Sequence, residues 1–288
     1  MANEAAVTAH FAVEARDLEY RQDNGTPLLA RLYRPQGDGP FPALLDVHGG
    51  AWASGDRLNN APLDEALAQS GIIVLAIDFR MPPPWRYPHS IADISYATRW
   101  LKAHAAEFGS RRDLVGGLGT SSGAHQLLLS ALRPADPRYA ALPLPEDPTT
   151  SATLPYLVLC WPIADPLARY RMVKDKGNTR LQQAHDAYWA SEAEMAEGNP
   201  QRLLDQGGAL RPLPPAILVQ GTADDNVTPD MADRFAAAWQ ANGGRIELHK
   251  FAGQPHTFIP RDPGSEAARR AIELICDFVR AQTGQPAG

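Results

Sequence analysis

Short apolar or alternating runs recur along the chain: "FAVEARDLEY", "LLARLYRP", "ALLDVHGG", "IIVLAIDFR", "DLVGGLGT", "LPYLVLCWP", "PAILVQGT" and "RIELHKFAG". Their apolar, β-branched character predicts eight strands. Between the later runs the period changes. "SIADISYATRWLKAHAAEFG" keeps Ile91, Ile94, Ala97, Leu101 and Ala105 near one helical face, with Gly109 as a stop. "TPDMADRFAAAWQANGG" opens on Thr228 and Pro229, a cap and first-turn pair, and closes on glycine. "SEAARRAIELICDFVRAQTG" reads as a terminal amphipathic helix. Fully apolar strands alternating with helices predict an α/β fold, a mostly parallel sheet covered on both faces. The first two strands have only the turn "DNGTP" between them, so the sheet is expected to begin as an antiparallel hairpin.

One region breaks the rhythm. From about Asp165 to Gly208 the chain is polar, helical in pattern and without strands. It is expected to form a small cap above the sheet, within one domain covering 1–288. "RMPPPWRYP" and "RPADPRYAALPLPEDP" are expected as loops, and the tail "AQTGQPAG" as a frayed end.

Composition narrows the partners. The 288 residues are 44% hydrophobic and 21% charged, enough apolar material for a sizeable core. A formal net charge of −6 argues against a nucleic-acid or anionic-membrane partner. The start, "MANEAAVTAHFAVEARD", has no basic segment followed by an apolar block, and no apolar run approaches the roughly 20 residues of a membrane helix. A cytoplasmic protein is expected, and a homodimer is compatible with the sequence. Cys160 and Cys276 sit in apolar runs and read as small core residues, with a disulfide between them left open. No cluster has metal-ligand spacing, no P-loop occurs, and no G-x-G-x-x-G sits at a first βα turn, so no metal or other cofactor is expected.

The candidate chemistry lies in "GLGTSSGAH". G-T-S-S-G fits G-x-S-x-G between a strand and a helix, the nucleophile-elbow pattern, with Ser121 at its centre. Such a turn lifts one hydroxyl out of the sheet and aims a helix amino end at it. A serine hydroxyl is inert without a base and an oxyanion site. Upstream, "LLDVHGGAWASGD" places Gly49 and Gly50 at a strand end, where backbone N–H groups can approach a reacting oxygen. Downstream, "ILVQGTADDNVTP" offers Asp224 and Asp225, and "FAGQPHTF" places His256 on a loop.

Together, "HGGAW", "YPHSIAD", "TRWLKAHAAEFG", "GTSSG", "GTADDNVTP" and "PHTF" resemble the α/β-hydrolases, near the hormone-sensitive-lipase-like esterases and their arylformamidase-like relatives. The resemblance covers about Asp17 to Ala281. It implies an α/β-hydrolase fold and a triad of Ser121, Asp224 and His256. Asp224 is selected over Asp225 by similarity to the pattern G-x-x-D counted from Gly221. It also implies an oxyanion hole from the backbone of Gly49, Gly50 and Ser122. Ala51 stands where lipase-like relatives usually carry a third glycine, and Thr120 where they carry an acid. Trp52 and His125 look closer to the arylformamidase and feruloyl-esterase side.

Other residues have two readings. Trp52, Trp85, Trp161 and Trp189 fall in segments expected to face the carboxyl edge of the sheet, where they either pack a core or wall an aromatic substrate pocket. His48 is expected to buttress the glycine turn, His125 to line the site, and His185 to sit in the cap. Asp46 is a satisfied buried acid or an edge residue. Asp78 is expected near Arg80, and Asp93 at a helix start near His89. The expected activity is hydrolysis of small or aromatic carboxylic esters through an acyl-enzyme. An amidase would use the same residues. A non-catalytic binding protein, as in the gibberellin receptors that resemble this family, would be expected to lack His256.

Overall fold

The computed structural model describes residues 10–284. Residues 1–9 lie outside it, so the expectation about a secretory signal falls partly outside the described residues. Among these residues, eight strands form one sheet in the order β1-β2-β4-β3-β5-β6-β7-β8. They are β1 (Val13–Asp23), β2 (Thr26–Pro35), β3 (Ala43–Val47), β4 (Ile73–Ile77), β5 (Val115–Thr120), β6 (Leu157–Cys160), β7 (Ala216–Gly221) and β8 (Ile246–Phe251). The β1–β2 hairpin turns at Asn24 and Gly25, both at positive φ, and β2 also runs antiparallel to β4. Every other pairing is parallel. The mostly parallel eight-stranded sheet expected from the sequence is present.

The helices are α1 (Ala61–Gln69), α2 (His89–His104), α3 (Ser122–Leu132), α4 (Pro166–Asp175), α5 (Thr179–Tyr188), α6 (Glu192–Glu197), α7 (Pro200–Asp205), α8 (Pro229–Ala241), the one-turn α9 (Phe258–Arg261) and α10 (Glu266–Thr283). In β4, Ile73, Leu75 and Ile77 belong to the same buried cluster as Ile91, Ile94, Leu127 and Phe235 of α2, α3 and α8. Val74 and Ala76 point the other way, toward Leu63, Leu67, Ile275 and Val279 of α1 and α10. Because side chains alternate across a strand, an all-apolar strand fills two cores at once, which is why these runs do not alternate in polarity.

Several expectations change. Thr228 occupies the cap position of α8, but its side chain makes no capping bond; Pro229 starts the helix by its fixed φ. Asp78 pairs with Arg57, through a backbone N–H at 2.8 Å and a guanidinium at 2.9 Å, rather than with Arg80. Arg80 and Arg21 instead bind Asp93, a pairing between β1, the β4 end and α2 that sequence distance hides. Residues 281–283 of the tail are helical and Gly284 caps them at φ 67°; the rest of the tail lies outside the described residues. Cys160 and Cys276 are free and buried.

Candidate active site

The turn after β5 is built by two close approaches. A Cβ at Gly119 would lie 2.6 Å from Ala124 Cα, and one at Gly123 would lie 2.0 Å from Val47 O. Only glycine fits at either place. Ser121 between them takes φ 52° and ψ −119°, a strained conformation for an L-residue. The strain is held by backbone bonds: Ser121 N donates to Cys160 O, and Ser121 O accepts from the N–H groups of His125 and Ile163. Ser122 then begins α3, where a first-turn N–H has no helical partner and the helix dipole favours negative charge.

His256 follows β8 on a loop, and its Nε2 lies 3.0 Å from Ser121 Oγ. Its Nδ1 donates to Asp224 Oδ2 at 2.7 Å. A carboxylate at Nδ1 fixes the proton there and leaves Nε2 free to accept from the serine hydroxyl. Asp224 is held in turn: Gln220 Nε2 donates to Oδ2 at 3.0 Å, and the N–H groups of Asn226 and Val227 donate to Oδ1 at 2.9 and 2.8 Å. Asp225 is exposed, and its carbonyl accepts from Lys176 Nζ. The chain thus brings Ser121, His256 and Asp224 into one line of hydrogen bonds.

The glycine turn lies against the serine. Gly50, Ala51 and Trp52 are all at positive φ, which folds the loop back toward β5. Gly49 and Gly50 border the cleft with Ser121. Trp52 N donates to Ser122 Oγ at 3.1 Å, so the second serine pins the loop by its side chain, a role the sequence did not suggest. The Trp52 indole donates to His125 Nδ1 at 3.1 Å, and His125 Nε2 donates to Gly198 O at 2.8 Å. Burial lowers the pKa of His125 to about 4, so it stays neutral and bridges the loop to the end of α6. It therefore does not line the site as expected. His48 does buttress the turn: its Nδ1 donates to Gly49 O and its ring stacks on Phe79 at 4.3 Å.

Asp46 proves to be a buried acid. Asn60 Nδ2 donates to both its oxygens at 3.0 Å and also reaches Thr120 Oγ1. Burial raises the Asp46 pKa to about 7. Asp64 below it is fully buried, with no hydrogen-bond partner for either oxygen among the described residues, and burial raises its pKa further above the ordinary carboxylate range.

The cleft over Ser121 has a volume of about 330 Å³. None of the four tryptophans borders it, which corrects the aromatic-wall expectation. Trp52, Trp161 and Trp189 are 1%, 0% and 2% exposed, because their indoles pack on other rings. Trp161 packs edge-on to His256 from behind, at 6.1 Å. Trp85 is half-buried under the Arg80 guanidinium. Bordering the cleft instead are Asn59, Asn60, Thr120 and Asn226, with Arg169, Arg180 and Leu181 from α4 and α5 and Arg261 from α9. The arginines were missed by the sequence reading. A signal existed: Arg169, Arg171, Lys174, Lys176 and Arg180 crowd one short stretch of an otherwise acidic chain.

The sequence model of the BD-FAE family matches residues 31–239, most of the chain. The chain belongs to the BD-FAE family. This BD-FAE protein is 26% identical to the ethyl acetate hydrolase of Pseudomonas putida over 274 residues, 92% of this chain and 81% of that one. It is 33% identical to the probable carboxylic ester hydrolase LipM of Mycobacterium tuberculosis over 183 residues, 59% of this chain and 42% of LipM. It therefore spans less than half the length of that relative. The propionate-bound structure of a thermophilic esterase from Thermogutta terrifontis matches it with a TM-score of 0.74 at 25% identity, covering 100% of both chains. The fold is that of the α/β-hydrolases.

Proposed function

We propose that this BD-FAE protein is a cofactor-free serine hydrolase of carboxylic esters. The observation that carries the reading is the line Asp224–His256–Ser121, with links of 2.7 and 3.0 Å, ending on a strained serine at a cleft. The names of its relatives, an ethyl acetate hydrolase and a probable carboxylic ester hydrolase, support the same class.

In this mechanism Ser121 Oγ attacks the acyl carbon while His256 Nε2 takes the hydroxyl proton. The carbonyl oxygen becomes an oxyanion, and the N–H groups of Gly49, Gly50 and Ser122 hold it, aided by the amino end of α3. Asp224 keeps the imidazole in the useful tautomer and stabilises its charged form. The tetrahedral intermediate collapses, the ester C–O bond breaks, and the alcohol leaves with the proton from His256. Water then attacks the acyl-serine and gives its proton to His256; the second intermediate collapses, the acyl–Oγ bond breaks, and His256 returns the proton to Ser121 Oγ as the acid leaves.

The stretch Asp165–Gly208 acts here as a cap that supplies one wall of the cleft, within a single working unit. Two free buried cysteines fit a reducing, cytoplasmic site of action. The test is turnover of p-nitrophenyl acetate together with labelling by a fluorophosphonate. Turnover with the label on Ser121 is expected. A label on Ser122, or full activity in Ser121→Ala, overturns the mechanism.

A further inference from the structure

Three arginines from three separate elements border one small cleft, and no carboxylate borders it. Arg169 is 0% exposed. Its Nη1 donates to His185 Nε2 at 2.7 Å, and its Nε and Nη2 donate to Asn226 Oδ1. A guanidinium has five N–H donors, so two remain unused by these partners. Its plane also lies 5.7 Å over the Trp52 ring. Burial lowers its pKa to about 10, with the Asp224 charge easing the penalty and Arg180 adding to it. Arg169 thus remains a cation at neutral pH, and it feels a second cation across the cleft. Arg180 and Arg261 are exposed at the rim.

None of the three forms an ion pair among the described residues. Elsewhere the chain does pair such groups: Arg133 and Arg138 with Glu197, and Arg171 with Glu192. Asp224 is the acid nearest in effect, but both its oxygens are occupied by His256, Gln220 and backbone N–H groups. Gathering like charges without a counter-ion, one of them desolvated, is unfavourable by itself. It becomes favourable when a bound anion completes the site, because a guanidinium binds a carboxylate through two parallel charge-assisted bonds.

We propose, building on the ester-hydrolase reading, that the substrate is a compact ester carrying a free carboxylate, held by the exposed Arg180 and Arg261 with the buried Arg169 adding its positive charge from the wall behind, while its ester carbonyl meets Ser121. The volume of about 330 Å³ limits it to a small molecule.

The test compares two pairs of esters matched in size. Monoethyl adipate against ethyl hexanoate places the charge on the acyl part. Para-acetoxybenzoate against para-tolyl acetate places it on the alcohol part. We expect the wild type to prefer the anionic member of at least one pair by about tenfold or more in kcat/KM, the scale of one charge-assisted hydrogen bond. The pair that shows the preference identifies which side carries the carboxylate. Arg180→Gln and Arg261→Gln, both at exposed positions, should each reduce that ratio, and high salt should erode it. Equal or inverted preference in both pairs, with esters still turned over, overturns the inference and leaves ester hydrolysis standing. If no ester is turned over, the ester-hydrolase reading fails and binding decides. Saturable calorimetric binding of adipate to Ser121→Ala, lost when both rim arginines are also replaced by Gln, supports the anion site; absence of binding overturns it.

Discussion

Two regions lie side by side beneath α4–α7, and they are made of opposite materials. On one side Trp52, Tyr87, His125, Tyr188 and Trp189 form a closed block of rings. Trp52 stacks on Tyr188 at 5.6 Å, and Trp189 meets Tyr87 at 4.8 Å and His125 at 5.4 Å. On the other side Arg169, Arg180, Arg261 and Asn226 surround open space above Ser121. The rings of the block are buried against one another, whereas the cleft is open and bordered by the exposed Arg180 and Arg261. Aromatic residues here fasten the helical insertion to the body, and polar residues meet whatever enters. An aromatic residue near a catalytic edge is therefore weak evidence for an aromatic substrate.

The sharpest way to break this division is kinetic. Asp224→Asn is expected to cost about ten-thousand-fold in kcat, because the amide stabilises the wrong imidazole tautomer. Asp225→Asn should cost far less, since Asp225 is exposed and only its carbonyl is engaged. Stopped assays on both purified variants decide it: a larger loss in Asp225→Asn would move the orienting acid by one residue.

Trp189→Ala attacks the other side. Removing a buried indole should cost about 3–5 kcal/mol of stability, read by urea unfolding. Its effect on preference between short and long esters should be small, because the ring does not border the cleft. A changed chain-length preference with unchanged stability would show that the block opens during catalysis and would dissolve the comparison.

These two regions also differ in how far the sequence discloses them. The elbow was legible because its constraint is local. Gly119 and Gly123 are forced by contacts with Ala124 and Val47, and those contacts leave a five-residue signature. His256 and the pair Asp224 and Asp225 were legible because each follows a strand end, and only the resemblance to the pattern G-x-x-D singled out Asp224. The four tryptophans kept two readings because a carboxyl-edge position is shared by pocket and core, and only the packing of one ring on another separates them. Asp78 lies near Arg80 in sequence, whereas the partner that reaches it is Arg57, from the loop before α1. The arginine cleft needs α4, α5 and α9 to converge, and no periodicity encodes that convergence.

The block also predicts an acid limb of stability. The folded pKa of His125, about 4, lies below the ordinary 6.5, so the unfolded chain binds more protons between those values. The contribution is present above pH 6.5 and is lost as pH falls toward 4. At pH 5 the loss should be about 2 kcal/mol, an order-of-magnitude figure from the linkage relation. Asp46 acts in the opposite sense: its pKa rises from 3.8 to about 7, so its contribution is lost as pH rises through that window. The two are separated by comparing urea midpoints at pH 7 and pH 5 for wild type and His125→Gln. A pH dependence identical in both would show that the ring titrates freely.

The smallest effect should come from the contact that joins the two regions. Ser122 Oγ accepts the Trp52 N–H, and Trp52 belongs to the ring block while its neighbours Gly49 and Gly50 face the cleft. Three successive residues at positive φ form a loop with little intrinsic preference for its shape, and this bond acts with those of His48 to Gly49 O, of the Trp52 indole to His125 and of Ala53 and Ser54 to Gly50 O in fixing it. Ser122→Ala removes the acceptor and leaves a backbone N–H unpaired, a loss of about 1 kcal/mol in stability. The kinetic loss should fall on kcat rather than KM, because misplaced oxyanion donors weaken binding of the transition state and not of the substrate. Ser122→Thr retains a hydroxyl at the same position and is expected to recover most of that kcat. A rise in KM with kcat unchanged would mean that the loop contacts substrate without holding the oxyanion. A fall in stability with both constants unchanged would mean that the bond serves only to attach the ring block to α3.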